Sequence, residues 1–322
     1  MSEFIFYFSI MIYLVFGLCI LWMFLRDFDI IKNKPSSQFS YMSLIKKISD
    51  FYNKLGSNTK IIISITVILF FTRLTIYFMA YWGYRAFGGE QESFKQIFSA
   101  IWNRCDSPRY LQIAQEGYLA EGDYNSIINI AFYPFYPLLI RILNYLINDY
   151  FYSAIIVSFI SLVVACFFFY KLLLIDYDED TSKRAVKYFL IFPFSLFLSA
   201  VYTESVFMAL CFMFFYGVRK KEWFFAGTAG MFAAFTRTQG FLLLIPMIYE
   251  IILDMREKNK AVKGKKGNKF IFESSYISSI LVPLGYGGYL LINKIVTGDW
   301  FKYMKYQKEY WRNEVEIFQR FL

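Results

Sequence analysis

The chain has 322 residues, 57 % of them hydrophobic, and a formal net charge of +9. Its apolar runs are too long and too many for a soluble core, and a spanning helix needs about 20 mostly apolar residues, so it reads as a multi-span membrane protein. It has no histidine, which excludes Ser-His-Asp and Cys-His nucleophile systems, HExxH zinc sites and His-ligated haem and leaves acid–base work to carboxylates, Lys, Tyr or Cys.

Lys and Arg sit mainly in the loops between apolar runs, a pattern of membrane orientation rather than nucleic-acid binding. Cys19, Cys105, Cys166 and Cys211 are scattered without a CxxC pair and read as reduced packing residues, with neither a metal site nor a disulfide frame.

Phe4 to Leu25 forms a first span, and no basic residue precedes it as a signal peptide would require. The basic stretch from Arg26 to Lys60, with a turn at Asn33–Ser37, is expected in the cytoplasm. Residues 1–60 thus form one region and 61–322 the main transmembrane domain. Ile61 to Tyr84 is the second span, with Arg73 inside it. That charge either faces a bundle interior or cavity, or snorkels to a headgroup.

Residues 85–126 form the first extracytoplasmic loop. Phe94, Ile97, Phe98 and Ile101 recur with helical spacing among polar residues, so this segment is an amphipathic helix too short to span. Next comes Asp106-Ser107-Pro108. Ser107 suits an N-cap, Pro108 the first helical position and Gly117 the stop. The loop therefore reads as two interfacial helices with Asp106 at their joint.

Ile127 to Ile147 is apolar but interrupted by Pro134 and Pro137. Phe151 to Ile175 is a clear span, Asp176 to Arg184 a polar loop, and Ala185 to Val201 a short span containing Pro193. Val206 to Val218 is shorter still. Trp223 to Leu253 suits two short crossings broken at Thr236–Gly240, and Phe270 to Ile295 runs outward. Basic segments at Arg219–Lys221 and Arg256–Lys269 belong inside, which puts Tyr202, Glu204 and Arg237 on the same side as Asp106. Two apolar runs between Ser126 and Asp176 give the wrong parity, which a broken or re-entrant run would correct.

The run Cys105-Asp106-Ser107-Pro108-Arg109-Tyr110-Leu111-Gln112-Ile113-Ala114-Gln115-Glu116-Gly117-Tyr118 resembles the first luminal loop of the PIG-V-like mannosyltransferases, which include the eukaryotic GPI mannosyltransferase 2 family and bacterial relatives. Ala131–Leu138 and Tyr202–Ser205 resemble two further motifs of that family, in the same order. Cys105 stands where the family carries Trp. The chain ends at Leu322, where relatives continue, so a C-terminal truncation is expected. The resemblance implies an all-α, polytopic transmembrane helical bundle of GT-C type. It also implies an active site at the extracytoplasmic face of the cell membrane and a polyprenyl-phosphate sugar as donor, with mannose the expected sugar. A glycan or glycolipid would be the acceptor.

An inverting transfer needs a base for the acceptor hydroxyl and cations for the leaving phosphate. Asp106 is the candidate base; the competing reading is a plain helix cap, because Asp-Ser-Pro is an ordinary helix start. Arg104, Arg109 and Arg237 are candidates for the phosphate, with lipid headgroups as the alternative for the first two. Glu204 either pairs with Arg237 or binds the acceptor. Tyr133, Tyr136 and Tyr202 line the sugar or lipid groove, or belong to an aromatic belt. No cofactor or resident metal is expected. A transporter or flippase for a lipid-linked or polar solute is the second reading, since charged, broken helices serve that function too.

Overall fold

The computed structural model describes residues 53–86, 93–118, 128–263 and 273–311. The expected first span and the basic loop up to residue 52 lie outside them. Every regular element among the described residues is helical, and four stretches are long and apolar enough to cross a membrane: Ser57–Ala86, Tyr150–Leu173, Thr238–Lys260 and Ser274–Thr297. The described residues divide into two compact units, with the boundary between Ile101 and Trp102.

In the first unit, α1 (Ser57–Ala86) is a 30-residue helix over the expected second span. Arg73 within it is only 2 % exposed, which favours the interior placement over a snorkelling one. The helix α2 (Phe94–Trp102) turns its periodic aromatics onto α1. Phe98 meets Tyr77 edge-on at 5.1 Å and Phe94 meets Tyr81 at 5.2 Å.

The second unit begins with α3 (Ser107–Glu116), which Gly117 ends with a left-handed φ of 83° and an N–H donated to the Ile113 carbonyl. After a 3-10 turn at Ile128–Ala131 comes α4 (Phe135–Ile147). At 13 residues, α4 falls short of the roughly 20 needed to span. The 24-residue α5 (Tyr150–Leu173) is therefore the one helix described between residues 126 and 176 that is long and apolar enough to cross a membrane. Two residues reverse the chain between α4 and α5. Asn148 adopts a left-handed φ of 55°, and Asp149 caps α5 by accepting from the amides of Phe151 and Tyr152 at 3.0 and 3.1 Å.

The expected polar loop at 176–184 is largely helix. Asp178 accepts from Thr181 N at 2.8 Å, and α6 (Glu179–Ile191) starts there. The helix stops at Phe192, before Pro193, because a proline disfavours helical geometry in the residue preceding it. A seven-residue 3-10 segment, Pro193–Ser199, follows. At standard rises the helix and the 3-10 segment are together about 34 Å long, so the expected short span is a longer, interrupted element. Then come α7 (Glu204–Arg219), α8 (Trp223–Ala234), a 3-10 turn at Thr238–Leu243, α9 (Leu244–Lys263), a 3-10 turn at Ser274–Ile280, α10 (Leu281–Thr297) and α11 (Lys302–Trp311).

The core of this unit forms where α7 packs between α5 and α8, and α8 against α10. Its centre is Ala154, Leu210, Phe214, Ala226, Ala233 and Val282. α8 is almost all small residues on its inner face, which lets backbones approach closely. A Cβ on Gly285 of α10 would collide with the Met231 backbone, whereas one on Gly287 would meet open space. Gly285→Ala is therefore expected to destabilise the bundle by about 1–3 kcal/mol, and Gly287→Ala to be neutral or slightly stabilising. Thermal unfolding of the two variants in detergent checks this; equal midpoints would contradict the packing described.

Candidate active site

Asp106 is the N-cap residue of α3. Its carbonyl accepts from Arg109 N and Tyr110 N at 3.1 and 3.3 Å, but its side chain makes no capping bond. The helix starts one residue earlier than expected. Ser107 is its first residue, buried, with its hydroxyl on the Trp102 carbonyl at 3.4 Å. Before it, Cys105 adopts a φ of 54°, uncommon for a residue with a side chain, so a sharp turn directly precedes Asp106. A capping side chain ordinarily stabilises a helix start by about 0.5–2 kcal/mol. The Asp106 carboxylate forgoes that bond, which argues against the plain-cap reading.

The carboxylate lies instead in the field of Glu204 and Arg237. Its pKa is raised above the ordinary carboxylate value. Lost hydration is the largest cause, the Glu204 charge adds to it, and Arg237 opposes it. Asp106 keeps an exposed edge, but the surrounding chain displaces enough water to weaken its solvation.

Glu204 opens α7, and Arg237 lies in the break after α8. The break follows from local sequence. Thr236 turns its hydroxyl back to the Phe232 carbonyl at 2.7 Å, Arg237 takes extended geometry, and Gly240 presses against the Ala233–Ala234 backbone where no Cβ would fit. Tyr133 ties the far side of the break through a 2.8 Å hydrogen bond with Thr238. Arg237 Nη1 meets Glu204 Oε1 at 2.8 Å, with both side chains 35 % exposed, and the guanidinium lies 5.9 Å from the Phe207 ring centre. The second oxygen of Glu204, Oε2, is out of solvent and accepts no hydrogen bond among the described residues.

Asp106, Glu204 and Arg237, distant in sequence, therefore form one charged centre. Arg104 and Arg109 flank it in sequence, the first exposed and the second half-buried. Two of the three tyrosines, Tyr133 and Tyr136, are buried rather than lining an open groove. Tyr136 is fully buried, bonded to the Ser158 hydroxyl at 3.0 Å and the Ala154 carbonyl at 3.2 Å; it is a core residue joining α4 to α5. Tyr133 is buried and stacks on Tyr289 with ring centres 3.8 Å apart. Tyr202 donates to the Arg104 carbonyl at 3.1 Å. Its phenol is pushed up to about 12, chiefly by burial and by the Cys105 side chain, so it stays a proton donor at neutral pH.

Beside the charged centre lies an open cavity of about 560 Å³. Phe189, Phe192, Phe194 and Leu198, from the interrupted α6 element, line it together with Phe207 and Met208 of α7. Glu204 and Arg237 belong to the same wall. The groove arises where Pro193 interrupts the expected short span and starts the 3-10 segment; a proline inside an apolar run carries no sign of the groove it opens. Among the described residues, no three His, Cys, Asp or Glu side chains converge as metal ligands would.

The architecture defines an α-helical protein with four segments long and apolar enough to cross a membrane and a carboxylate–guanidinium centre beside an apolar groove. No protein-family model, curated protein or solved structure matches the chain.

Proposed function

We propose that this chain is an integral membrane glycosyltransferase of GT-C type, akin to the PIG-V-like mannosyltransferases. It transfers a sugar, expected to be mannose, from a polyprenyl-phosphate donor to an acceptor at the extracytoplasmic face. One observation carries the reading: a carboxylate with raised basicity, a guanidinium and an apolar groove meet at one place. A polyprenyl-phosphate sugar has three matching parts, a long apolar chain, an anionic phosphate and a polar sugar. The groove suits the chain and Arg237 suits the phosphate.

In the proposed step Asp106 takes the proton from the acceptor hydroxyl. The acceptor oxygen forms its bond to the anomeric carbon as the bond from that carbon to the phosphate oxygen breaks. The polyprenyl phosphate leaves with that electron pair, and Arg237 stabilises its growing charge. Glu204 Oε2 is available to a sugar hydroxyl.

A transporter or flippase is the second reading, favoured by two interrupted helical elements bearing charges beside a groove. The two separate in one assay. Purified protein in lipid vesicles is given polyprenyl-phosphate mannose labelled in the sugar. The transferase reading expects label to pass to an acceptor or to water. Label that stays on the donor but changes leaflet would sink the transferase reading and support the second.

A further inference from the structure

The two residues before Glu204 grip the turn that carries Asp106 from both sides. Tyr202 donates to the carbonyl of Arg104, two residues ahead of Asp106, at 3.1 Å. Thr203, 2 % exposed, sets its side chain beside the phenol of Tyr110, one helical turn past Asp106. Thr203 is the N-cap residue of α7, and a threonine there ordinarily caps its own helix; this one does not. The Tyr110 ring is itself fixed, with edge-on contacts to Phe132 at 5.3 Å and Tyr136 at 5.5 Å. Ser205 secures the start of α7 through a hydrogen bond from its hydroxyl to the Leu198 carbonyl. The grip opposes a definite force: two carboxylates repel, and an acid with an exposed edge gains hydration by swinging away.

We propose that Tyr202 and Thr203 are positioning residues that clamp the Asp106 turn to the start of α7 and so set the distance of Asp106 from the Glu204–Arg237 pair. The clamp itself stands on the contacts alone; its catalytic consequence rests on the transferase reading. It gives Tyr202 and Thr203 a task separate from substrate contact, and it accounts for two adjacent helix starts that both forgo a side-chain cap.

The test uses the full chain in lipid, with Tyr202→Phe, Thr203→Val, the double variant, and Thr203→Ser as the hydroxyl-keeping control. Hydrogen exchange is followed by mass spectrometry in peptides covering residues 104–112 and 150–173. Each lost hydrogen bond is worth up to about tenfold in local opening. The double variant is expected to exchange at least about tenfold faster in 104–112, with 150–173 unchanged and Thr203→Ser like wild type. Unchanged exchange in 104–112 overturns the clamp, whether or not the protein turns over donor. So does exchange raised equally in both peptides and not restored by Thr203→Ser. In donor turnover, Thr203→Val is expected to lower kcat about tenfold with KM within about twofold. Its acid limb should move to lower pH, because a released Asp106 regains hydration. A fall in kcat with an unmoved pH profile overturns the positioning role. Absence of turnover in wild type defeats the transferase reading, and the exchange measurement alone then decides the clamp.

Discussion

Asp106→Asn is expected to lower sugar transfer by about 10²–10⁴-fold while leaving donor binding and thermal stability close to wild type. The side chains have the same shape, and the amide cannot take a proton from an acceptor hydroxyl. Stability should hold because the Asp106 side chain does not cap α3; the capping bonds there come from its backbone carbonyl, which asparagine keeps. Both outcomes follow from transfer of labelled sugar, retention of labelled donor, and an unfolding scan on the same preparation. A variant that binds donor and still transfers at more than about a tenth of the wild-type rate would remove Asp106 from the role of base. A variant that loses donor binding and stability together would restore the view that this residue mainly starts a helix.

The same carboxylate sets the pH dependence. A base works ionised, and lost hydration together with the Glu204 charge raises the Asp106 pKa. Transfer should rise with pH through that raised value, so activity falls on acidification earlier than an ordinary aspartate would dictate.

Long periodic segments were the most legible part of the fold. The second span, the amphipathic helix around Phe94–Ile101, the stop at Gly117 and the break at Thr236–Gly240 follow from apolar period, glycine and a charge inside an apolar run. Helix starts were less legible, because a cap is a contest between adjacent residues: at Asp106-Ser107-Pro108 the helix begins one residue early, and α6 begins inside what composition marks as a polar loop. In the site, the alternative in which Glu204 pairs with Arg237 is the arrangement found. Aromatics misled, since a chain with 39 Phe and 27 Tyr offers many equivalent candidates. Burial alone separates Tyr136, a core strut, from Tyr202 beside Asp106. The Tyr202–Arg104 bond joins residues far apart in sequence and has no local pattern to announce it.

Arg237 has the second large expected effect, and it acts in two ways that can be told apart. Arg237→Ala removes the cation facing the leaving phosphate, a loss of about 10²–10³-fold in transfer by analogy with other charge-stabilising donors. It also removes a charge that lowers the Asp106 pKa, so the acid limb should move to higher pH. Glu204→Gln removes a neighbouring negative charge and should move that limb to lower pH. Arg237→Lys keeps the charge without the planar fork. It is expected to restore the pH profile toward wild type while recovering only part of the rate. The signs decide more than the sizes, because a purely structural ion pair would give two unstable variants with unmoved limbs. Limbs that shift in the same direction for Arg237→Ala and Glu204→Gln would show that the titrating group is not Asp106. Opposite shifts would tie the base, the cation and the second carboxylate into one electrostatic unit, which a sugar–phosphate bond must enter to be broken.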